Sequence, residues 1–185
     1  MSEKELYSKI IEEKNKLGQL LTDHWNLYSD MSTWYFWYNL TVLIVPLIIL
    51  YICIDRKRLF EISFFGYSLH IIWYNVGSFL SSNNYFNYPH SLAPFLPQGF
   101  SVTAVLYPVT FMLLYQYCTN NEKNFYIYSI FGAFIFEIYD YFSMITGLIR
   151  LHNGMNLFIS FLLSVAMIYL AFGMTKLFKK IKKAE

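Results

Sequence analysis

Long apolar stretches separated by short polar or charged segments make up most of this chain. Five of them are long enough to cross a membrane, because about 20 apolar residues span the hydrocarbon core as a helix. They cover about residues 34–54, 59–80, 102–118, 125–149 and 156–178. The pattern predicts an all-α fold, a polytopic membrane helix bundle of about five transmembrane helices.

The first 33 residues have a different pattern, in which charged and apolar positions alternate at helical spacing. Ser2 and Glu5 have the spacing of a capping box, which favours a helix beginning there. The apolar positions that recur at intervals of three and four residues include Tyr7, Ile10, Ile11, Leu17, Leu21 and Trp25. We therefore predict an N-terminal amphipathic helix within residues 1–33. It can lie on the membrane surface or pack on the rest of the protein, and packing is favoured because the polar face is not strongly basic.

Basic residues determine the expected orientation, because Lys and Arg are retained on the cytoplasmic side of a membrane. With the N-terminus outside, nine Lys and Arg residues lie inside and five lie outside. This distribution predicts an outside N-terminus and a cytoplasmic C-terminus in the plasma membrane. The chain then divides into the N-terminal helix (residues 1–33), a five-span transmembrane bundle (34–178) and a basic cytoplasmic tail (179–185).

Composition supports a membrane protein and excludes one class of partner. Hydrophobic residues make up 56% of the chain and charged residues 14%, whereas soluble domains carry about 25% charged residues. The net charge is +2, with no basic patch in the middle of the chain. Nucleic acid is therefore not an expected partner, since its phosphates need a positively charged face. The expected partners are membrane lipids, with a membrane protein partner or a second copy of the chain left open.

Two carboxylates interrupt the fourth apolar stretch. Glu137 and Asp140 are three residues apart, and so lie on one helical face. Charging a carboxylate at that depth costs at least ~2.5–3.5 kcal/mol, so both side chains should face the protein interior or water. The same face continues through Ser129, Ala133, Met144 and Gly147.

His70 lies at a similar depth in the second stretch. The expected inward face of that helix contains Ser63, Gly66, Tyr67, His70, Trp73, Tyr74 and Gly77, and the opposite face contains Phe64, Phe65, Ile72 and Phe79. We therefore predict a buried polar cluster of His70, Glu137 and Asp140. Such a cluster can relay protons, hold a cation, act as an acid/base pair, or simply join two helices by hydrogen bonds.

No metal or cofactor site is predicted. The cluster offers three candidate ligands, but no HExxH or comparable spacing accompanies them. Cys53 and Cys118 lie in different stretches without CxxC spacing, which favours a structural role for both. The chain also contains no GxSxG, Walker or dinucleotide-binding motif, so its sequence indicates no catalytic residue.

The loop over residues 81–101 is polar and aromatic, and it should lie at the outer end of the bundle. Tyr88 and His90 belong to this loop, and Arg150 and His152 follow the fourth stretch on the same side. These four residues are a candidate outer mouth for a ligand. An interfacial lid of Tyr and Phe is the alternative, because aromatic rings favour the membrane interface.

Several short motifs over about residues 34–165 resemble a family of small, functionally uncharacterised multi-span membrane proteins from endospore-forming Gram-positive bacteria. The motifs are Asp55-Arg56-Lys57-Arg58, Tyr88-Pro89, Pro94-Phe95-Leu96-Pro97, Tyr107-Pro108-Val109, Met112-Leu113-Leu114-Tyr115-Gln116, Glu137 and His152-Asn153-Gly154-Met155-Asn156. Where such proteins tend to have Glu-Pro in the fourth span, this chain has Glu137-Ile138. The resemblance implies a bacterial plasma membrane and five spans, and it implies no activity.

The leading hypothesis is a non-enzymatic membrane protein, a small permease-like or proton-coupled component that uses the His70, Glu137 and Asp140 cluster. One alternative is a scaffold or accessory subunit of a membrane complex. Another is a membrane-embedded enzyme acting on lipid or a lipid-linked substrate. A cavity that reaches the cluster favours transport or catalysis, whereas a dry, fully hydrogen-bonded cluster favours a scaffold.

Overall fold

The computed structural model describes residues 1–182 and is all-helical, with 77% helix and 2% strand. The longer helices are α1 (Glu3–Tyr28), α2 (Trp34–Cys53), α3 (Leu59–Ser82), α4 (Tyr107–Asn120), α5 (Phe125–Ile145) and α6 (Leu157–Lys182). A 3-10 turn (Arg56–Arg58) precedes α3, and a π turn (Ser101–Leu106) leads into α4. Two short strands, β1 (Phe86–Asn87) and β2 (Arg150–Leu151), pair antiparallel. Of the predicted tail, Lys179–Lys182 end α6 and Lys183–Glu185 lie outside the described residues.

Among the described residues, three helices are long and apolar enough to cross a membrane. They are Trp34–Cys53, Ser101–Asn120, which joins the π turn to α4, and Leu157–Lys182. Helices α3 and α5 have comparable lengths of 24 and 21 residues. They are less apolar because α3 contains Glu61 and His70, and α5 contains Glu137 and Asp140.

One end of the bundle, here called the basic end, contains the end of α2, the start of α3 and the end of α4. Gln116 in α4 accepts the N–H of Asp55 at 2.8 Å and donates to the carbonyl of Cys53 at 2.8 Å. Arg58 donates to the hydroxyl of Thr119 at 2.9 Å. Side-chain contacts therefore tie the two polar connections at this end to each other.

Glu61 adds α6 to the basic end. Its carboxylate lies 2.5 Å from the Arg58 guanidinium and 2.7 Å from Lys179 Nζ, and it accepts a hydrogen bond from Tyr115. Arg58 and Glu61, three residues apart, therefore form a local ion pair. Lys179, from the last turns of α6, makes it a network that joins α3, α4 and α6.

The opposite end, here called the loop end, contains the start of α2, the end of α5 and both strands. Tyr35 in α2 donates to the carbonyl of Thr146, just after α5, at 3.1 Å. The strands pair the segment after α3 with the segment after α5. Helices α2, α4 and α6 consequently run from the loop end to the basic end, and α3 and α5 run back.

The core lies where α3, α4, α5 and α6 meet, and one expectation about α3 is wrong. Phe65 was expected on the lipid-facing side, but it is 0% exposed and stacks on Tyr115 with ring centroids 4.8 Å apart. Tyr67 and Tyr74, expected to face inward, are 65% and 49% exposed. The physical reason is that lipid is as apolar as a core side chain, so packing rather than hydropathy decides which face of a membrane helix turns inward.

Helix α1 forms but does not pack along the body, so the expected packing arrangement is wrong. No residue of α1 is buried. Its contacts are at its last turn, where Trp25 Nε1 donates to the carbonyl of Ser91 at 3.1 Å and the following Ser29 meets His90 Nδ1 at 2.8 Å. The capping box at Ser2 and Glu5 is present, as the sequence predicts.

The π turn before α4 is explained by Pro108. Proline has no N–H, so a helix that continues through it loses a backbone hydrogen bond. The chain adopts the wider π turn here, in which Tyr107 N–H bonds to the carbonyl of Val102 five residues earlier. In that pattern the carbonyl of Thr103 would bond to Pro108, which has no hydrogen to give.

Candidate functional site

The buried face of α5 carries both carboxylates. Glu137 is 8% exposed and Asp140 is 9% exposed, and Ser129 and Ala133 on the same face are 0% exposed. This inward orientation agrees with the spacing of the sequence. The face continues to the buried Ser143 rather than to Met144, which is 38% exposed.

Glu137 points across the interface between α5 and α6 without a hydrogen bond. Both of its carboxyl oxygens are buried and, among residues 1–182, neither has a hydrogen-bond partner. The neighbouring side chain on α6 is Ser160, whose buried hydroxyl lies close enough to the Glu137 carboxyl to interact with it but does not complete a hydrogen bond with it. A polar group left in this condition costs about 1–3 kcal/mol, and more when it is charged.

Phenols and hydroxyls surround Asp140 instead. The hydroxyls of Tyr38 in α2 and Tyr139 in α5 contact each other, and Ser143 adjoins both. Tyr88 approaches Asp140 from the loop side. Burial first, and then the charge of Asp140, hold the pKa of Tyr88 well above its usual range. Asp140 thus lies where α2, α5 and the loop after β1 meet.

His70 does not bond to either carboxylate. Its Nδ1 lies 3.4 Å from the carbonyl of Thr103, the group that Pro108 leaves without an N–H. Within residues 1–182 no hydrogen bond joins His70 to Glu137 or Asp140, and no group of three or more His, Cys, Asp or Glu residues is arranged to hold a metal ion. The geometry therefore gives His70 a structural partner in the π turn, and among residues 1–182 the predicted cluster of His70, Glu137 and Asp140 is not joined by a direct His70–carboxylate hydrogen bond.

The candidate outer mouth divides into separate parts. His90 stacks on Tyr35 with ring centroids 3.4 Å apart and 9° between the planes. Burial first, and then the nearby charges of His24 and Arg150, lower the pKa of His90 to about 4. His90 and Arg150 line one cavity beside the end of α1. His152 is exposed, and its backbone N–H bonds to the carbonyl of Tyr85.

Tyr88 lines a different cavity, of about 220 Å³, between the second half of α3 and the loop after β1. Trp73 lies on its wall and is 8% exposed. The indole of Trp73 stacks on Tyr107 with centroids 5.0 Å apart, and Tyr107 in turn contacts Phe136, the residue before Glu137. Trp73 and Tyr88 therefore separate this cavity from the two carboxylates.

Sequence reasoning missed the hydroxyl groups around the carboxylates. They come from four helices and the loop after β1, and the main ones are Tyr38, Tyr88, Tyr107, Tyr139, Ser143, Ser160 and Ser164. Two signals pointed to some of them. Ser143 continues the i, i+3 series of Glu137 and Asp140, and Ser160 and Ser164 are small polar residues one turn apart in an apolar helix, which is typical of a helix interface in a membrane.

The comparisons with known proteins find no relative. No protein-family model matches this chain, and no curated protein or solved structure matches it either.

Proposed function

We propose that this chain is a small, proton-coupled, permease-like component of the plasma membrane in which Glu137 and Asp140 bind and release protons. The observation that carries the proposal is Glu137: a buried carboxyl with no hydrogen-bond partner among residues 1–182, three residues from a second buried carboxyl. Ionising such a group in the membrane interior is expensive, so it would hold a proton at rest and give it up when its surroundings change. Mobile charge of this kind drives coupled transport.

The surroundings of Asp140 support a route for protons from the loop end. Tyr88 lines the cavity of about 220 Å³ and lies near enough to Asp140 for the charge of that carboxylate to act on its phenol. A phenol can accept and donate a hydrogen bond at the same time. Tyr88 would therefore pass a proton between the cavity and Asp140, and the Tyr38–Tyr139 pair would hold Asp140 in place on the other side.

The direction of the helices supports five crossings. Three helices are apolar enough to span a membrane, and all three run from the loop end to the basic end. A chain that crosses three times in one direction must return twice between those crossings. Helices α3 and α5 connect the same two ends, with Arg58 at one end of α3 and β1 after the other. They would supply the two return crossings.

The orientation and setting remain those expected from the basic residues and from the family resemblance. The basic end would face the cytoplasm and the loop end would face outward, in a bacterial plasma membrane. Only 11% of the residues in the apolar stretch of α2 are buried inside the protein, which fits a helix covered by membrane lipid. Cysteine labelling of intact cells tests the orientation after Cys53 and Cys118 are replaced by Ala. A cysteine at Ser2 should react with an impermeant thiol reagent, and one at Ala184 should not.

The proton-binding proposal is tested by infrared difference spectroscopy of the reconstituted protein. The carboxyl C=O band of the protonated form should gain and lose intensity as pH changes, and Glu137→Gln and Asp140→Asn should each remove part of that change. Glu12→Gln, at an exposed position of α1, is the control. A signal that neither substitution alters would contradict the proposal and favour the scaffold alternative.

Transport itself is tested in liposomes containing a trapped pH indicator. Imposing a proton gradient should acidify the lumen faster with the wild-type protein than without protein, and Glu137→Gln should return the rate to that of protein-free liposomes. Melting temperature in detergent, measured in parallel, shows whether the variant is folded. If lipid turnover rather than proton flux depends on Glu137, the hypothesis of a membrane-embedded enzyme replaces that of a permease.

A further inference from the structure

The cavity beside Trp73 contains an unused hydrogen-bond donor. Trp73 Nε1 is buried and, within residues 1–182, has no hydrogen-bond partner. A methyl group added at Gly77 would approach that nitrogen to 4.0 Å, and Gly77 also lines the cavity. Trp73 and Gly77 both line the cavity, so the indole N–H lies within its wall, beside the place where α3 has no side chain.

The lining of the cavity restricts the chemistry of an occupant. Its walls are aromatic rings, small residues and amides, and no lining residue carries a charge. An ion would consequently lose its hydration shell without gaining a counter-charge. The volume of about 220 Å³ is below the several hundred Å³ typical of sites for drug-sized ligands.

We propose that this cavity binds a small, uncharged molecule that has an apolar body and one hydrogen-bond acceptor, such as a ketone, ester or amide carbonyl. The carbonyl oxygen accepts from Trp73 Nε1, and the body lies between Tyr74, Phe86 and Tyr88. Trp73 is the specificity-determining residue, since indole nitrogen is a donor only. The inference does not depend on proton transfer at Glu137, because binding requires neither carboxyl to titrate.

Acetophenone is a suitable probe, and α-methylstyrene is its matched control, with the same shape and no acceptor. The full chain, labelled with ¹⁵N-tryptophan and held in lipid nanodiscs, gives one indole signal for each of its four tryptophans. Trp73→Phe assigns the signal of Trp73. Acetophenone should shift that signal saturably, whereas α-methylstyrene should not reproduce the shift. An unshifted Trp73 signal, or an equal shift with both compounds, would overturn the proposal.

Two glycine variants separate binding in the cavity from partitioning into lipid. Gly77→Leu places a side chain in front of Trp73 Nε1 and should abolish the saturable shift. Gly173→Leu is the matched control, because Gly173 is also helical and has no atom within 4 Å of an added Cβ. If Gly77→Leu fails to fold, Gly77→Ala narrows the same space at an ordinary contact distance and should weaken binding. A shift that survives either Gly77 variant unchanged would contradict the site.

Affinity measurements test the role of Trp73 Nε1 as the donor and the requirement for an uncharged ligand. Equilibrium dialysis should show that Trp73→Phe weakens acetophenone binding roughly five- to tenfold, the loss expected for one hydrogen bond. Benzoate, a charged analogue of similar size, should bind more weakly than acetophenone. Equal affinity for benzoate would show that the site takes anions and would refute the uncharged ligand class.

Discussion

The two ends of this bundle treat ionisable groups in opposite ways. At the basic end, Glu61 is surrounded by two cations and a phenol. Towards the loop end, Glu137 has no partner among the described residues, and Asp140 is enclosed by neutral hydroxyls. The difference teaches that a carboxylate in a membrane helix is not one kind of feature. Paired with cations it joins helices, and among neutral groups it has no counter-charge.

The largest expected effect comes from removing the paired carboxylate. Glu61→Ala leaves Arg58 and Lys179 close together without an anion. Breaking a fully buried pair costs about 3–5 kcal/mol, and because the Glu61 side chain is 21% exposed, screening reduces our expectation to about 1–3 kcal/mol. Thermal unfolding in detergent should then shift downward by about 2–4 °C per kcal/mol. Glu12→Ala, which removes an exposed ion pair with Lys16, should have almost no effect.

A smaller effect on stability is expected from the titration of His90, a half-buried histidine at the loop end. Burial and the basic neighbours His24 and Arg150 disfavour a charged imidazole, and together they outweigh the backbone hydrogen bond of Tyr28 that favours it. The folded pKa of about 4 lies below the ordinary value of 6.5. As pH falls, His90 therefore takes up a proton in the unfolded chain before it does so in the folded protein. The contribution of neutral His90 to the free energy of unfolding is fully present above pH 6.5 and is lost as the pH falls towards 4.

The melting temperature of the wild type should accordingly fall as the pH is lowered from 6.5 to 4. The melting temperature of His90→Asn should fall less steeply over the same interval. His152→Asn, at an exposed histidine of the same end, is the control. Parallel curves for the wild type and His90→Asn would mean that another group causes the acid sensitivity.

The smallest effect on stability is expected at the unpaired carboxylate. Glu137→Gln exchanges a carboxyl that makes no hydrogen bond for an amide of the same shape, and interhelical hydrogen bonds in membranes average only ~0.6 kcal/mol. The melting temperature should stay within about 2 °C of the wild type, while Glu61→Gln lowers it clearly. Comparable losses for the two variants would remove the contrast between the ends.

Much of the helical framework could be predicted from the sequence. The predicted spans match α2, α3, α4, α5 and α6 to within a few residues, because each apolar stretch is closed by polar or turn-forming residues such as Asn124 or Asn153. The inward orientation of Glu137 and Asp140 was also predictable, since a carboxylate cannot face lipid cheaply. The burial of Phe65 was not predictable, because an aromatic ring is about as stable in lipid as in the protein core.

The sequence by itself determined the helices, the apolar character of the chain and the burial of the two carboxylates of α5, because hydropathy and helical period act over a few neighbouring residues. Only the tertiary structure decided what each polar group meets. It directed His70 to the carbonyl that Pro108 leaves free, brought Tyr38 and Tyr88 to Asp140 from distant parts of the chain, and left Glu137 and Trp73 without partners in the described chain. Those pairings depend on how helices rotate against one another, and inside a membrane that rotation follows from packing between side chains far apart in sequence.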